Sequence, residues 1–359
     1  MALLLAGAVA RWRRPRGLPG ATVAEVAPLA AVAADVPDHP MAALSTALAA
    51  ASTKLWAGAL GVTPERGSVP PEHEAILAAA RAALEASPLA ERHFPRRPML
   101  MPQLLAAVND PNAPPLRLAA IIAQDPVLTG NILRLANSVF FRLSATPVES
   151  IQRAVVVCGT DGLQSLAATA LVQPVFRGGS EAHNRFPAVL WERCTRASAA
   201  AEICARHWCP SDRQAAQLLA LLSALGPLVA YRVVQDQYKA HPALPAAPAA
   251  FLQVIDRYAL PLAARIAGLW QTPQRMLAVL RGEAQPESAE RDTASPLERA
   301  LRAGELLATL SLLNEAGRLT EGDCGAQALE AGIPMPLYAS AWARFHPQAD
   351  EGSAATHVA

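Results

Sequence analysis

The stretch PAVLWERCTRASAAAEICARHW, residues 187–208, decides the fold class. Leu190, Cys194, Ala197, Ala201, Cys204 and Trp208 recur in it at spacings of four and three, while Glu192, Arg196 and Arg206 fall elsewhere on the wheel. That is the period of a helix with one face turned to a core. Directly downstream, LLALLSALGPLVA (218–230) is apolar on nearly every side, the mark of a buried helix, and its thirteen residues are too few to cross a bilayer. The Gly226-Pro227 pair should break or kink that helix.

Outward from this pair the same grammar repeats. Towards the N-terminus, residues 71–87 read as a helix with Pro71 in its first turn, Glu72 and Glu74 at its positive end, and Ile76, Ala80, Ala83 and Leu84 on one face. Pro102 and Pro115 open two short helices separated by the stop Asn109-Asp110-Pro111-Asn112. Asp125 and Pro126 cap and start a third, 127–137, with Leu128, Ile132, Leu135 and Val139 as its buried stripe. A modest helical pattern covers 41–60. Beyond the central pair, residues 251–269 and 297–316 complete the set, the latter with Leu301, Leu306, Leu310 and Leu313 near one side. No fixed-period repeat is visible. The whole reads as an all-α protein. Its expected divisions are an Ala/Pro-rich, partly disordered or loosely helical leader (1–70), a helical domain (71–285), and a C-terminal helical extension with a disordered tail (286–359), the linker lying at 285–296.

Composition narrows the function classes. With 31 Lys plus Arg against 30 Asp plus Glu, the chain has no global field to steer nucleic acid, so no nucleic-acid partner is expected. Five cysteines, at 158, 194, 204, 209 and 324, are odd in number and lie in helical apolar contexts, which points to a reducing compartment and a cytoplasmic location. Cys204, His207 and Cys209 are close in sequence but lack a second pair of ligands at zinc spacing, and buried thiols are the plainer reading. The apolar start, residues 1–10, is far shorter than the ~20 residues of a bilayer-spanning helix. Its arginines, Arg11, Arg13, Arg14 and Arg16, follow the apolar run instead of preceding it, so it does not read as a secretory signal. Peripheral membrane contact through residues 1–16 stays open, beside a solvated tail.

A set of short motifs in fixed order adds a family. Phe94-Pro95-Arg96-Arg97-Pro98, then Leu104-Leu105 and Asn109-Asp110-Pro111, lead into Ala119-Ala120-Ile121-Ile122-Ala123-Gln124-Asp125-Pro126 and Ile132-Leu133-Arg134-Leu135-Ala136-Asn137-Ser138. Ser150-Ile151-Gln152-Arg153-Ala154-Val155-Val156 with Gly159, Trp191-Glu192-Arg193-Cys194, and Gly268-Leu269-Trp270-Gln271-Thr272-Pro273 follow. Over about 92–283 the chain resembles the HDOD family, bacterial signalling modules related to the HD hydrolases.

The resemblance carries a chemical implication. HD hydrolases hold one or two divalent metals between a His, an adjacent His-Asp pair and a later Asp, and the metal-bound water attacks phosphorus. On this chain the first His falls at Arg193, and the His-Asp pair falls at Ser223-Ala224 within Leu222-Ser223-Ala224-Leu225. A guanidinium has no lone pair for a metal. The resemblance therefore implies a degenerate HD motif with no catalytic residues, no metal site and no cofactor.

Two constellations remain as ligand or partner contacts. Arg193 either reaches into the former metal pocket, where its fork could take the phosphate or carboxylate of a small ligand, or pairs with a neighbouring acid. Ser223 reads as a helix-interior hydroxyl bonded to its own backbone. Arg134, Asn137 and Ser138 share one helical face and form either a contact patch or a simple helix end. Phe140 and Phe141 read as core. The expected role is a non-catalytic regulatory or scaffold module in bacterial signal transduction, acting on a signalling protein partner, with a phosphate-bearing small ligand as a second candidate. The alternative is a divergent metal-dependent phosphohydrolase of nucleotides or cyclic dinucleotides.

Overall fold

Every regular element among the described residues is a helix: the computed structural model describes residues 41–61, 69–86, 119, 122, 126–138, 147–176, 185–282 and 295–346. In chain order the helices are α1 (Met41–Ala59), α2 (Glu74–Glu85, after a 3-10 turn Pro71–His73), α3 (Pro126–Ala136) and α4 (Ile151–Phe176). They continue with α5 (Phe186–Trp208), α6 (Arg213–Ser223), α7 (Leu225–Ala240), α8 (Pro248–Leu269) and α9 (Gln274–Arg281), and end with α10 (Pro296–Glu315), α11 (Glu321–Glu330) and α12 (Met335–Phe345). The expectations for residues 1–16, the helices opened by Pro102 and Pro115, the Asp125 cap, Val139, Phe140 and Phe141, most of the 285–296 linker and the tail lie outside the described residues.

The stripe that opened the reading holds. Leu190, Cys194, Ala197, Ala201 and Cys204 are buried, and only Trp208, at the end of α5, is half-open, with the Arg299 guanidinium 4.6 Å from its ring. Ser198 on α5 donates to the Gln217 carbonyl of α6 at 3.3 Å, and the Gln217 amide donates to Ser165 of α4, so polar contacts pin three helices in register. Inside α4 the chain kinks sharply at Gly159, between two helical segments, with a φ of 70° and ψ of −176° that only glycine adopts readily.

Three expectations need correction. First, the apolar run at 218–230 does not break at Gly226-Pro227. Helix α6 ends at Ser223, and α7 begins at Leu225, so Pro227 stands in the first turn of a new helix, where a missing N–H leaves no bond unmade. The stretch 210–240 is long and apolar enough to cross a membrane, but it is interrupted at Ala224 and almost wholly buried among its neighbours. Second, α10 is not an amphipathic helix with its leucines near one side. It is buried around its full circumference from Ala300 to Leu313 and packs on α5, α1 and α6 at the centre of the protein. Third, α1 has the expected extent but is not loosely packed: Leu44, Leu48, Ala51, Leu55 and Trp56 are buried, chiefly against α10.

Close crossings are made by small residues. Where α10 meets α5, a Cβ on Gly304 would stand 2.4–2.8 Å from the Ala201 backbone and Cβ. Where α7 meets α8, a Cβ on Gly226 would lie 1.8 Å from the Ala259 carbonyl oxygen. Helix α8 carries Pro261 on its exposed side, one turn after the exposed Arg257, so the carbonyl deprived of its partner lies on the solvent face.

The Gly268-Leu269-Trp270-Gln271-Thr272-Pro273 motif is the C-terminal cap of α8. Gln271 N–H donates to the Gly268 carbonyl at 2.9 Å and Thr272 N–H to the Ala267 carbonyl at 3.0 Å, with Gln271 left-handed at φ 57°. Glycine is the usual occupant of that place. Gln271→Gly is expected to stabilise the protein by about 0.5–1 kcal/mol, read as a raised urea midpoint at unchanged slope.

Candidate functional site

Buried charge marks one place in the core. Arg193 of α5, with Arg302 and Glu305 of α10, are 6%, 7% and 4% exposed. Charges this deep survive only when paired and hydrogen-bonded. Here Glu305 is the hub. Its Oε2 lies 3.3 Å from Arg302 Nη1, and its Oε1 lies 2.7 Å from Ser223 Oγ and 3.9 Å from Arg193 Nη2. Ser223 Oγ also sits 3.0 Å from the Ala220 carbonyl. A hydroxyl has one proton, and the shorter, charge-assisted contact to Glu305 is the stronger claim on it.

Arg193 is held from three sides. Its Nε donates to Thr309 Oγ1 at 2.9 Å, while Thr309 itself donates back to the Glu305 carbonyl at 2.7 Å. Its guanidinium carbon lies 5.3 Å from the centre of the Trp56 ring of α1. Burial pushes the Arg193 guanidinium below its ordinary value, and Glu305 pulls it back. Arg302 also faces Glu298 at 3.9 Å, whose carboxyl is raised by burial and lowered again by Arg302. Two guanidinium groups and two carboxylates thus sum to zero inside the fold.

From Trp56 a chain of rings leads away. Trp56 meets Phe186 at 5.2 Å, Phe186 stacks on Tyr231 at 4.9 Å, Tyr231 meets Phe251 at 5.2 Å, and Phe251 stacks on Tyr238 at 5.6 Å. Tyr238 Oη completes it with a 3.0 Å hydrogen bond to Nδ1 of the buried His73. Leader helix α1, central helices α5 and α7, and the 3-10 turn before α2 are therefore joined by one packed aromatic row.

The second constellation is dispersed in its bonding. Asn137 donates to the Leu133 and Val148 carbonyls at 2.9 and 2.8 Å and accepts from Val148 N–H at 2.8 Å, which ties the end of α3 to the segment before α4. Ser138 donates to the Leu135 carbonyl at 2.7 Å, and the exposed Arg134 bonds Asn131. Arg134 alone of the three presents its side chain mainly to solvent.

Comparison with known proteins supplies the frame for these residues. The HDOD domain matches residues 94–286, more than half of the chain. The chain belongs to the HDOD family. No curated protein matches it. Among solved structures, an HDOD domain protein of unknown function from Geobacter sulfurreducens is similar at 18% identity and a TM-score of 0.49, covering 77% of this chain and 99% of its own. A provisionally named metal-dependent phosphohydrolase from Shewanella amazonensis SB2B is similar at 18% identity and a TM-score of 0.47, with the same coverage. A provisionally named signal transduction protein from Marinobacter aquaeolei VT8 shows 17% identity and a TM-score of 0.47 over 79% of this chain and 69% of its own.

On the correspondence that the family resemblance implies, the metal-holding positions of HD hydrolases fall at Arg193, Ser223 and Ala224. The donors gathered there do not fit a divalent cation. Arg193 and Ala224 offer no lone pair, Ser223 is turned onto Glu305, and Glu305, the carboxylate at the hub, is already shared by two guanidinium groups and a hydroxyl. Among the described residues no three His, Cys, Asp or Glu side chains stand close enough to hold a metal. Cys204 is buried in α5 with its thiol pushed up to about 12 by desolvation, and half-buried Cys209 is pushed to about 11 by the same cause, aided by Asp212.

Reading the residues alone missed Glu305, Arg302, Thr309 and Trp56. The first three lie beyond residue 286, and Trp56 lies before residue 94. One signal was available: Arg302 and Glu305 are the two charges in the stretch from Ala300 to Leu313, whose remaining positions are all apolar or small.

Proposed function

We propose that this HDOD protein is a non-catalytic regulatory or scaffold module of bacterial signal transduction, working through binding to a signalling protein or a small ligand. The observation that carries the reading is the use of the HD positions for internal structure: Arg193 and Ser223 both engage Glu305. A guanidinium at that place supplies positive charge permanently and needs no metal, but it cannot activate water as a metal does. The remaining geometry favours transmission over chemistry, because α1, α5, α7 and α10 meet at this cluster and along the aromatic row beside it.

The test is turnover. Full-length protein is incubated with bis(p-nitrophenyl) phosphate, GTP and a cyclic dinucleotide, each with manganese, with iron(II) and with a chelator. The expected result is a rate indistinguishable from buffer in every arm. Metal-dependent hydrolysis that is abolished by chelation would overturn the proposal in favour of a divergent phosphohydrolase.

A further inference from the structure

A cavity of about 460 Å³, open on one side, lies between the end of α1, helix α7, the turn at 241–247 and the start of α8. Its inner wall is Tyr231, Tyr238 and Phe251, and Leu60, Leu244 and Lys239 stand at its rim. The geometry points to this cavity as a binding site for a small planar aromatic acid.

Size comes first. The volume falls in the range of ligand clefts, ~300–1,000 Å³, and is ample for a one- or two-ring molecule; the charge of the lining, and not its size, weighs against a nucleotide with its phosphates. The wall comes next. Tyr231 and Tyr238 are two turns apart on one face of α7, and Phe251 of α8 sits between them with centroids at 5.2 and 5.6 Å. Ring edges and faces of this kind favour another flat ring by offset or edge-to-face contact. Because Tyr231 is also stacked on Phe186, the wall is braced from behind and needs little ordering when a ligand arrives.

Charge gives the sign. None of the described lining residues is acidic, and Lys239 is the cation at the mouth. Its ammonium is about half exposed and meets Asp236 at 4.0 Å, a loose pair at the surface that a ligand anion can displace. Gln235, whose amide donates to Tyr231 Oη at 3.2 Å, adds a polar group between the rings and the lysine. A cationic ligand could lie over the ring faces but would be repelled by Lys239 at the mouth, and a polyphosphate would find too few positive charges. A ring against Tyr231, Phe251 and Tyr238 with one carboxylate turned to Lys239 uses every feature of the cleft. This inference goes beyond the regulatory role proposed above and does not depend on it, since discovery of turnover would leave the chemistry of this cavity unchanged.

The experiment is isothermal titration calorimetry of the full chain with indole-3-acetate and its neutral amide, indole-3-acetamide. For indole-3-acetate a Kd at or below about 1 mM is expected, the affinity that a molecule of this size reaches at ordinary efficiency per atom. The amide should bind roughly fivefold more weakly, the scale of one charge contact at a partly exposed rim. Lys239→Met, a substitution of an exposed side chain, should erase the difference between the two. Ala246→Trp, which places an indole in the mouth from the exposed turn, should abolish both, with an unchanged melting curve showing that each variant is folded. No saturable binding of indole-3-acetate, equal binding of acid and amide to the unmodified chain, or binding that survives Ala246→Trp would each overturn the assignment.

Discussion

Glu305→Gln is expected to cost about 3–5 kcal/mol of folding stability, far more than an ordinary surface charge change, because it leaves two buried guanidinium groups facing a neutral amide. The side chain keeps its shape, so packing is not the cause. For Arg302 the loss is softened by Glu298 at 3.9 Å, whereas Arg193 keeps only Thr309 and the Trp56 ring. Urea denaturation should show the loss as a lowered midpoint at unchanged slope. A second variant separates pairing from bulk: Arg193→Met combined with Glu305→Gln removes one stranded cation with the anion and should recover at least half of the loss, since apolar replacement of buried ion pairs is often near neutral. A loss below about 1 kcal/mol in the single variant would mean that the Glu305 hub does not hold the core together.

Gly226→Val is expected to be at least as damaging, about 3 kcal/mol or more, for a different reason. Its new Cβ would lie 1.8 Å from the Ala259 carbonyl oxygen, 2.8 Å from the Ala259 carbonyl carbon and 3.0 Å from Ala263 N, all backbone atoms of α8. Backbone cannot swing aside as a side chain does, so α7 and α8 must separate along their crossing, and the rings of Tyr231 and Phe251 would part with them. Gly58→Ala provides the contrast. The three atoms nearest its Cβ would all belong to the guanidinium of Arg318, at 2.6–2.8 Å, the far end of a flexible side chain, and the cost should stay below about 1 kcal/mol. Thermal melts of the two variants side by side check the order; equal melting temperatures would contradict it.

How much of this was legible before the structure depends on which force set each feature. Periodicity placed α5, α1 and the start of α3 at Pro126, because burial of one helical face writes itself directly into residue spacing. The point where α6 gives way to α7 was misplaced by a few residues. Gly226-Pro227 reads as the site of the break, whereas Pro227 serves as a first-turn residue after a break at Ala224. The centrality of α10 was hidden for another reason. Arg302 and Glu305, three residues apart, look like an ordinary surface pair until the burial of their neighbours is known. The candidate site divided in the same way. Arg193 and Ser223 could be found from the family pattern, but their shared partner lies 82 residues beyond Ser223, a distance that no local rule spans. The cavity walled by Tyr231, Tyr238 and Phe251 arises where four separate segments meet, and spacing along one of them cannot reveal it.

We propose that the position of the HD metal belongs to the internal Arg193–Glu305 pair. Full-length protein purified without chelator, incubated with excess manganese or iron(II), desalted and analysed by plasma mass spectrometry should then carry far less than one ion per chain, and Glu305→Gln should leave that unchanged. One tightly held ion per chain, lost on that substitution, would overturn the proposal.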